Sequence, residues 1–220
     1  AEEVGWPRVM GCIVTLGAGM YEPGNPKRTS SASKPALALG EPSGMITPRL
    51  ESITSDMSCI GITKTTTNLW GERWSKLAAN CMVNCLAAIS GLTSFGLRKD
   101  LLTGTIGIEL AAEVIQVATA FGVSIENING QRPIDYLNAV KNPDNMMTLR
   151  ENLIEHGKTL GEGRPSLAQD ILKGRKTEAE HLNGYVIRKG QELGVPTPIN
   201  QAIYLMTKKL EAGEIETSYS

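Results

Sequence analysis

Lys76, Asn80 and Asn84 are spaced four residues apart in an otherwise apolar stretch of the sequence. In an α-helix this spacing places the three side chains on one face, with Leu77 and Val83 on another. A cation and two carboxamides in a row can bind a small molecule that is anionic or carries a carbonyl group. A solvated helix face is the structural alternative. The row alone does not decide between them.

The composition of the chain excludes several classes of function. The 220 residues carry a net charge of −1, so no basic excess indicates binding to nucleic acid or to an anionic membrane surface. No uninterrupted apolar run has the ~18 residues that a membrane span needs. The four cysteines are too few and too scattered for a disulfide scaffold, which favours a reducing, cytoplasmic setting. Two histidines make a histidine-built metal site implausible, so no metal is expected.

The N-terminal third has the pattern of short strands. Residues 8–17, 27–33, 36–39 and 59–63 are predicted strands, and Pro48 is predicted to open a helix. Gly17-Ala18-Gly19 resembles the start of a dinucleotide loop, but Glu22 stands where the third glycine should be, so we predict a turn. The chain lacks an initiator Met and runs almost at once into a strand. We therefore expect it to begin within a domain.

The rest of the chain is predicted to be helical from about residue 67. Five or six helices are expected, the longest over 69–89, 105–121, 146–157, 177–193 and 198–210. Gly122 stands where a left-handed cap would end the second of them. Thr177 and Glu180 have the spacing of a capping box. The sequence thus predicts an α+β fold that is predominantly α, with a β-rich part over 1–66 and an all-helical domain over 67–220.

Three segments, in this order, resemble the C-terminal half of the ketopantoate reductase (2-dehydropantoate 2-reductase) family. They are residues 74–84 (WSKLAANCMVN), 164–171 (RPSLAQDI) and 174–185 (GRKTEAEHLNGY), the last continuing into 194–198 (GVPTP). The resemblance implies an all-helical domain like the C-terminal domain of 6-phosphogluconate dehydrogenase, preceded by the last strands of a Rossmann domain. It also implies NADPH-dependent reduction of ketopantoate to pantoate in pantothenate and coenzyme A biosynthesis.

The resemblance assigns roles to five positions. Lys76 matches the lysine that stabilises the developing negative charge on the carbonyl oxygen and supplies the proton. Asn80 and Asn84 match amides that bind the substrate. Ser166 matches a residue that binds the substrate carboxylate, and Glu178 matches the glutamate that contacts the hydroxyl region and helps to order the lysine.

Each downstream residue also has a structural interpretation. Ser166 could be the N-cap of a helix, since serine is favoured at that position. Glu178 could be an acid in the first turn of a helix, where it would complement the helix dipole. Asn183-Gly184 indicates either close packing or a contact in the cleft. Gly161 and Gly163 have the character of a hinge. These alternatives stay open at the level of sequence.

The chain departs from the family pattern at its beginning. The glycine-rich phosphate loop has no counterpart, so the residues that bind NADP or NADPH are unknown and turnover by this chain alone is in doubt. We expect a preceding segment of about 100 residues, the size of a small domain, in the native protein. The expected partners are a small 2-oxo acid and a second copy bound through the helical domain. The alternative functions are a reductase of another 2-oxo acid and a non-catalytic helical dimerisation or binding module.

Overall fold

The computed structural model describes residues 2–28, 31–158 and 165–218. By its internal contacts the chain divides into two compact units, Ala1–Arg73 and Trp74–Ser220. The predicted hinge at Gly161 and Gly163 and the first residue of the second family segment, Arg164, lie outside the described residues.

Up to Thr65, the described residues of the first unit form five strands and one α-helix, after a short 3₁₀ turn at Trp6–Arg8. They are β1 (Gly11–Val14), β2 (Ala18–Glu22), β3 (Asn25–Arg28), β4 (Leu37–Gly40), α1 (Pro48–Met57) and β5 (Thr63–Thr65). β4 is the central strand of a three-stranded sheet, antiparallel to β1 and parallel to β5. β2 and β3 form a separate antiparallel hairpin.

Two glycines facing each other in the sheet let the next helix approach closely. Gly11 of β1 pairs with Gly40 of β4. A Cβ at Gly11 would lie 2.4 Å from the Leu69 side chain, and one at Gly40 would lie 2.9 Å from Thr66. Leu69 is 2% exposed, so this close approach buries the first residue of the following helix against the strands.

The strand predicted over 27–33 is displaced: β3 covers Asn25–Arg28, and residues 31–33 are in a turn. Two further predictions for this unit are wrong. Gly17-Ala18-Gly19 is not a turn, because Ala18 and Gly19 belong to β2, where Gly19 pairs with Lys27 of β3. The strand predicted over 59–63 is instead a turn, since the Ile60 N–H binds the Met57 carbonyl at 3.0 Å, and β5 starts at Thr63. In both places the pairing partner, and not local propensity, determines where the strand lies. The helix opened by Pro48 and the strand ending at Gly40 are confirmed.

The second unit is helical in its described part. After α2 (Leu69–Cys81), which crosses from the first unit, come α3 (Asn84–Ser90), α4 (Ser94–Lys99), α5 (Leu101–Ala120), α6 (Pro133–Ala139), α7 (Pro143–Lys158), α8 (Ser166–Leu172), α9 (Asn183–Leu193) and α10 (Pro198–Glu211). The predominantly α fold class is confirmed.

α5 is the central helix of this unit and packs against α4, α6, α7, α9 and α10. Its length and apolar composition would also suffice to cross a membrane, but 56% of its most apolar window is buried within the chain. That burial is typical of a core helix. The predicted cap is confirmed: Gly122 has φ +81°, the Gly122 N–H binds the Thr119 carbonyl and the Val123 N–H binds the Ala118 carbonyl.

Two long helices of the prediction are interrupted. The helix predicted over 69–89 breaks at Met82 and Val83 into α2 and α3. The helix predicted over 177–193 is a short 3₁₀ turn, Ala179–His181, followed by α9 from Asn183. The sequence also missed α4 and began α5 four residues late. The two interruptions lie close to Asn84 and Glu178, two of the residues predicted for the site.

Candidate active site

Lys76 and Asn80 lie one turn apart on α2. Trp74 and Ala78, 5% and 0% exposed, attach this part of the helix to the core of the second unit, while Lys76 is exposed and Asn80 half-buried. The Ser75 hydroxyl donates to the Asn127 carbonyl at 2.7 Å, which fixes the helix to the chain between α5 and α6. The polar pair therefore projects from a well-anchored helix.

Asn84 does not continue that row. It is the first residue of α3, after Val83 with φ −125° and ψ −46°, so the prediction of one uninterrupted helical face is wrong at its third position. The Val83 N–H binds the Asn80 carbonyl at 3.1 Å, a tighter i→i+3 hydrogen bond than the α-helix uses. The direction of Asn84 is thus determined by the break and not by helical periodicity.

Tertiary contacts hold the break in place. A Cβ on Gly107 of α5 would lie 3.3 Å from the Met82 carbonyl oxygen, so α5 approaches the broken turn closely. The Asn129 amide lies 3.8 Å from the Met82 sulfur. Asn129 and Gly130 both have positive φ, and Ile128 and Gln131 exchange two backbone hydrogen bonds around them. This tight turn fixes the position of Asn129.

A buried polar network holds α3 from the other side. Cys85, next to Asn84, donates its thiol hydrogen to Asn183 Oδ1 at 3.1 Å, and Asn183 Nδ2 donates to Asn200 Oδ1 at 2.9 Å. Asn200 Nδ2 in turn donates to Glu113 Oε2 at 2.7 Å. Burial raises the pKa of Cys85 to about 11, so the thiol stays protonated and can donate. These hydrogen bonds join α3, α9, α10 and α5. Asn183 therefore takes part in packing these helices together, which was the first of its two interpretations.

Glu113 also caps α10. Its two carboxylate oxygens accept the backbone N–H groups of Ile199 at 2.8 Å and Asn200 at 2.9 Å, in the first turn of that helix. A negative charge at a helix N-terminus is stabilised by the helix dipole. Glu113 is 7% exposed, and these hydrogen bonds explain a carboxylate among the apolar residues of α5.

Ser166 is the first residue of α8. The N-cap is Pro165, and no side-chain hydrogen bond caps the helix, so the N-cap interpretation of Ser166 is wrong. Leu167 and Ala168, 1% and 7% exposed, attach α8 to the core, while Ser166 is exposed. α8 packs on α3, the helix that Asn84 begins. Ser166 and Asn84 thus lie on adjacent elements.

Glu178 precedes the 3₁₀ turn and is exposed. The predicted capping box is not formed, because the Thr177 hydroxyl binds Glu211 and the Glu180 carboxylate binds Tyr204 and Arg188. Since α9 begins only at Asn183, Glu178 is not a first-turn acid of that helix. The 3₁₀ turn packs against α9 and α10, and α10 also packs against α3.

The predicted residues thus lie on connected elements of one unit. Lys76 and Asn80 share α2, Asn84 and Ser166 begin two helices in contact, and Glu178 lies beside α10. Within residues 2–28, 31–158 and 165–218, the side chains of Asn80, Asn84, Ser166 and Glu178 make no hydrogen bond. Each of these four polar side chains can therefore exchange hydrogen bonds with a ligand that carries oxygen atoms.

The sequence did not identify the residues that support these positions. Glu113 could have been recognised, because a carboxylate inside the apolar stripe of a core helix is unusual. The Asn-Gly pair at Asn183 was a weaker indication of a supporting role. Nothing in the sequence indicated such a role for Asn200, Tyr204 or Glu211, because their partners lie far away along the chain.

The segment that resembles the start of a dinucleotide loop does not form one in the structure. Gly17-Ala18-Gly19 leads into the β2–β3 hairpin, whereas a dinucleotide loop joins a strand to a helix N-terminus that holds the pyrophosphate. In the described part of the chain no three His, Cys, Asp or Glu side chains are grouped to bind a metal ion.

Comparisons with solved structures show which folds this chain resembles. A complex of D-mandelate dehydrogenase with NADH has a TM-score of 0.76 at 20% identity, covering 96% of this chain and 65% of that one. The 2-dehydropantoate 2-reductase of Geobacter metallireducens also has a TM-score of 0.76, at 21% identity, covering 94% and 62%. The fold is one that dehydrogenases and reductases use.

The sequence comparison is more specific. The family model described as "Ketopantoate reductase PanE/ApbA C terminal" matches residues 68–211, which is more than half of the chain. The chain belongs to the ketopantoate reductase family. The 2-dehydropantoate 2-reductase of Pyrobaculum aerophilum is 30% identical over 140 residues, covering 64% of this chain and 43% of the relative. The chain thus spans less than half the length of that curated relative.

Proposed function

We propose that this chain is the substrate-binding half of a cytoplasmic, NADPH-dependent 2-dehydropantoate 2-reductase, which reduces ketopantoate to pantoate for pantothenate and coenzyme A biosynthesis. The proposal rests mainly on one observation. Asn80, Asn84, Ser166 and Glu178 match the substrate-binding pattern of the family, and their side chains make no hydrogen bond within the described residues.

Lys76 is proposed as the acid of the reaction. Reduction places negative charge on the carbonyl oxygen of the 2-oxo acid, and a nearby ammonium group stabilises that charge and donates the proton. Lys76 is exposed on α2, whose core-facing residues Trp74 and Ala78 fix the helix from which it extends. Removal of solvent when the substrate binds would favour proton transfer.

The other residues are proposed to bind and orient the substrate. Asn80 and Asn84 can donate and accept hydrogen bonds at the hydroxyl group and the polar edges of ketopantoate. Ser166 can donate to the carboxylate. Glu178 can accept from the hydroxyl group and attract the ammonium group of Lys76.

The hydride is proposed to come from NADPH, bound by residues other than those described. We propose that residues 1–66 are the C-terminal part of the nucleotide-binding domain and that residues 67–220 form the substrate-binding and dimerisation domain. No residue of this chain is assigned to the cofactor. A homodimer through the helical domain is part of the proposal, and light scattering coupled to size-exclusion chromatography measures it.

A second candidate is a reductase of another 2-oxo acid. The fold is also similar to that of a D-mandelate dehydrogenase, so the fold does not select the substrate. The shape of the substrate-binding pocket, proposed to include Asn80 and Asn84, would make that selection.

Rates over a panel of 2-oxo acids test the proposal. With the whole protein that contains this chain, we expect NADPH oxidation to be faster with ketopantoate than with pyruvate or 2-oxobutyrate, measured as kcat/KM. A higher kcat/KM with pyruvate would favour the second candidate. No turnover with any 2-oxo acid would favour a non-catalytic helical module.

A binding experiment on the 220 residues themselves complements the rates. We expect titration of NADPH fluorescence with this chain to give no tight binding, because its described residues form no phosphate-binding loop. Tight binding would contradict the assignment of the cofactor to other residues.

A further inference from the structure

The segment around Glu178 is attached to α10 on both sides. Before Glu178, the backbone N–H of Thr177 donates to Glu211 Oε1 at 3.0 Å, and the Thr177 hydroxyl donates to the same oxygen. After Glu178, the Glu180 carboxylate accepts the Tyr204 hydroxyl. Tyr204 and Glu211 lie seven residues, or about two turns, apart on one helix.

Between these attachments, Glu178 is an exposed residue flanked by two buried ones. Thr177 and Ala179 are 7% and 0% exposed, whereas Glu178 is exposed. The Glu178 carbonyl accepts the N–H groups of His181 at 2.9 Å and Leu182 at 3.1 Å. Its own carboxylate makes no hydrogen bond within the described residues, so its neighbours and backbone determine where it lies.

The contact at Tyr204 is close. A Cβ on Gly184 of α9 would lie 3.3 Å from Tyr204 Cε2 and 3.4 Å from Glu180 Cδ. Arg188 of α9 also binds Glu180. Both helices therefore hold the Glu180 carboxylate, and Gly184 leaves room for the Tyr204 ring.

Glu211 is suited to hold Thr177, which precedes Glu178 in the segment. Partial burial raises its pKa, but hydrogen bonds from Lys208 and Thr177 outweigh that effect and lower the pKa overall. The group is thus ionised at neutral pH. Its Oε1 accepts two hydrogen bonds from Thr177 and its Oε2 accepts one from Lys208.

We propose that Tyr204 and Glu211 are positioning residues, which fix Glu178 for its contact with the substrate through Glu180 and Thr177. The inference rests on the proposed function, because it concerns the role of Glu178 there. Neither residue touches the substrate. Their effect on catalysis should therefore depend on the presence of the Glu178 carboxylate.

A double-mutant cycle in the whole protein tests this dependence. Tyr204→Phe removes one oxygen and keeps the ring beside Gly184, and we expect kcat/KM for ketopantoate to fall about tenfold, since small misplacements of catalytic groups are costly. Glu211→Ala should give a similar fall. Glu211→Gln keeps an oxygen for Thr177 and should restore kcat/KM to within about threefold of the parent value.

The cycle is completed in the Glu178→Gln background. There we expect Tyr204→Phe and Glu211→Ala to lower kcat/KM by less than about twofold, because the carboxylate that they position is gone. Tyr185→Phe and Glu214→Ala are matched controls on α9 and after α10, expected to leave kcat/KM unchanged in both backgrounds. If Glu211→Ala does not fold, the effects of Tyr204→Phe in the parent and in the Glu178→Gln background decide the test.

The outcomes separate this inference from the proposed function. Equal losses with and without the Glu178 carboxylate would show a purely structural role and overturn the inference, while the effect of Glu178→Gln itself would still support the function. Unchanged kcat/KM in Tyr204→Phe and in folded Glu211→Ala would overturn it as well. Unchanged kcat/KM in Glu178→Gln alone would remove the role of Glu178 from the proposed function, and the inference with it.

Discussion

Lys76 is the residue on which the proposed chemistry depends most. It is exposed, one turn before Asn80, on a helix that the buried Trp74 holds in place. An exposed lysine on a helix is common, so the role proposed for Lys76 depends on the residues around it. Asn80 lies one turn further along α2 and Asn84 begins α3 after the break, and we propose that their amide groups bind the same carbonyl substrate as Lys76.

Replacement of Lys76 by Ala tests the proton donor. We expect kcat of the whole protein with ketopantoate to fall by about 10²–10⁴-fold, the usual contribution of general acid–base catalysis. Lys141→Ala, which removes an exposed lysine after α6, is the control and should have no effect. A fall of less than tenfold for Lys76→Ala would show that another group donates the proton.

Replacement of Asn84 by Ala should act differently. If this amide binds the ground state and the transition state alike, KM for ketopantoate rises and kcat stays within about twofold of the parent value. Steady-state kinetics over a range of ketopantoate concentrations separates the two constants. A fall in kcat at unchanged KM would instead mean that Asn84 acts only in the transition state.

At the scale of the elements, the break between α2 and α3 is the main structural feature of the site. Gly107 and Asn129 hold it from one side, and the network from Cys85 through Asn183 and Asn200 holds it from the other. Glu178 is held separately, by α10. The polar groups proposed to bind the substrate therefore depend on contacts with α5, α9 and α10.

The end of α5 gives a prediction at the same scale. Gly122 has φ +81° with open space around its Cβ position, so any cost of substitution there comes from the backbone. We expect Gly122→Ala to lower the free energy of unfolding by about 1–2 kcal/mol. Gly122→Asn should cost less, because asparagine tolerates the left-handed region. Denaturant unfolding of both variants measures the difference, and equal losses would contradict the backbone explanation.

At the scale of the whole molecule, the chain consists of two units with separate stabilising groups. In the first unit, Glu41 is 3% exposed and accepts hydrogen bonds from Arg49 at 2.7 Å and Thr47 at 2.6 Å. These hydrogen bonds, that from Arg49 above all, hold the pKa of Glu41 at about 2. The pair links the end of β4 to the start of α1.

Acid should therefore weaken this unit through Glu41. Because the pKa is lower in the folded state, the stabilising contribution is present above about pH 4.5 and is lost as the pH falls towards about 2. We expect Glu41→Gln to be less stable than the parent at pH 6 and to lose less stability between pH 5 and 3, measured by denaturant unfolding. Glu51→Gln, on the exposed side of α1, is the control. A parallel loss in Glu41→Gln and the parent would show that other carboxylates cause the acid sensitivity.

The sequence by itself determined the features that depend on neighbouring residues. Pro48 and Pro198 open α1 and α10, Gly122 ends α5, and the mostly helical fold follows from apolar periodicity. The family, too, could be inferred from three short segments. Proline and glycine act through their own backbone angles, and periodicity acts within one helix, so these signals need no knowledge of the rest of the chain.

Only the tertiary structure decided where the site residues point. The break before Asn84 depends on contacts with α5 and with Asn129, which lies 47 positions from its partner Met82. The Cys85–Asn183 hydrogen bond joins residues 98 positions apart, and the Thr177–Glu211 bond joins residues 34 apart. Local patterns predicted a straight helix and a capping box at these places. They were wrong because distant polar groups offered the same backbone and side chains better-placed partners, which only folding brings within reach.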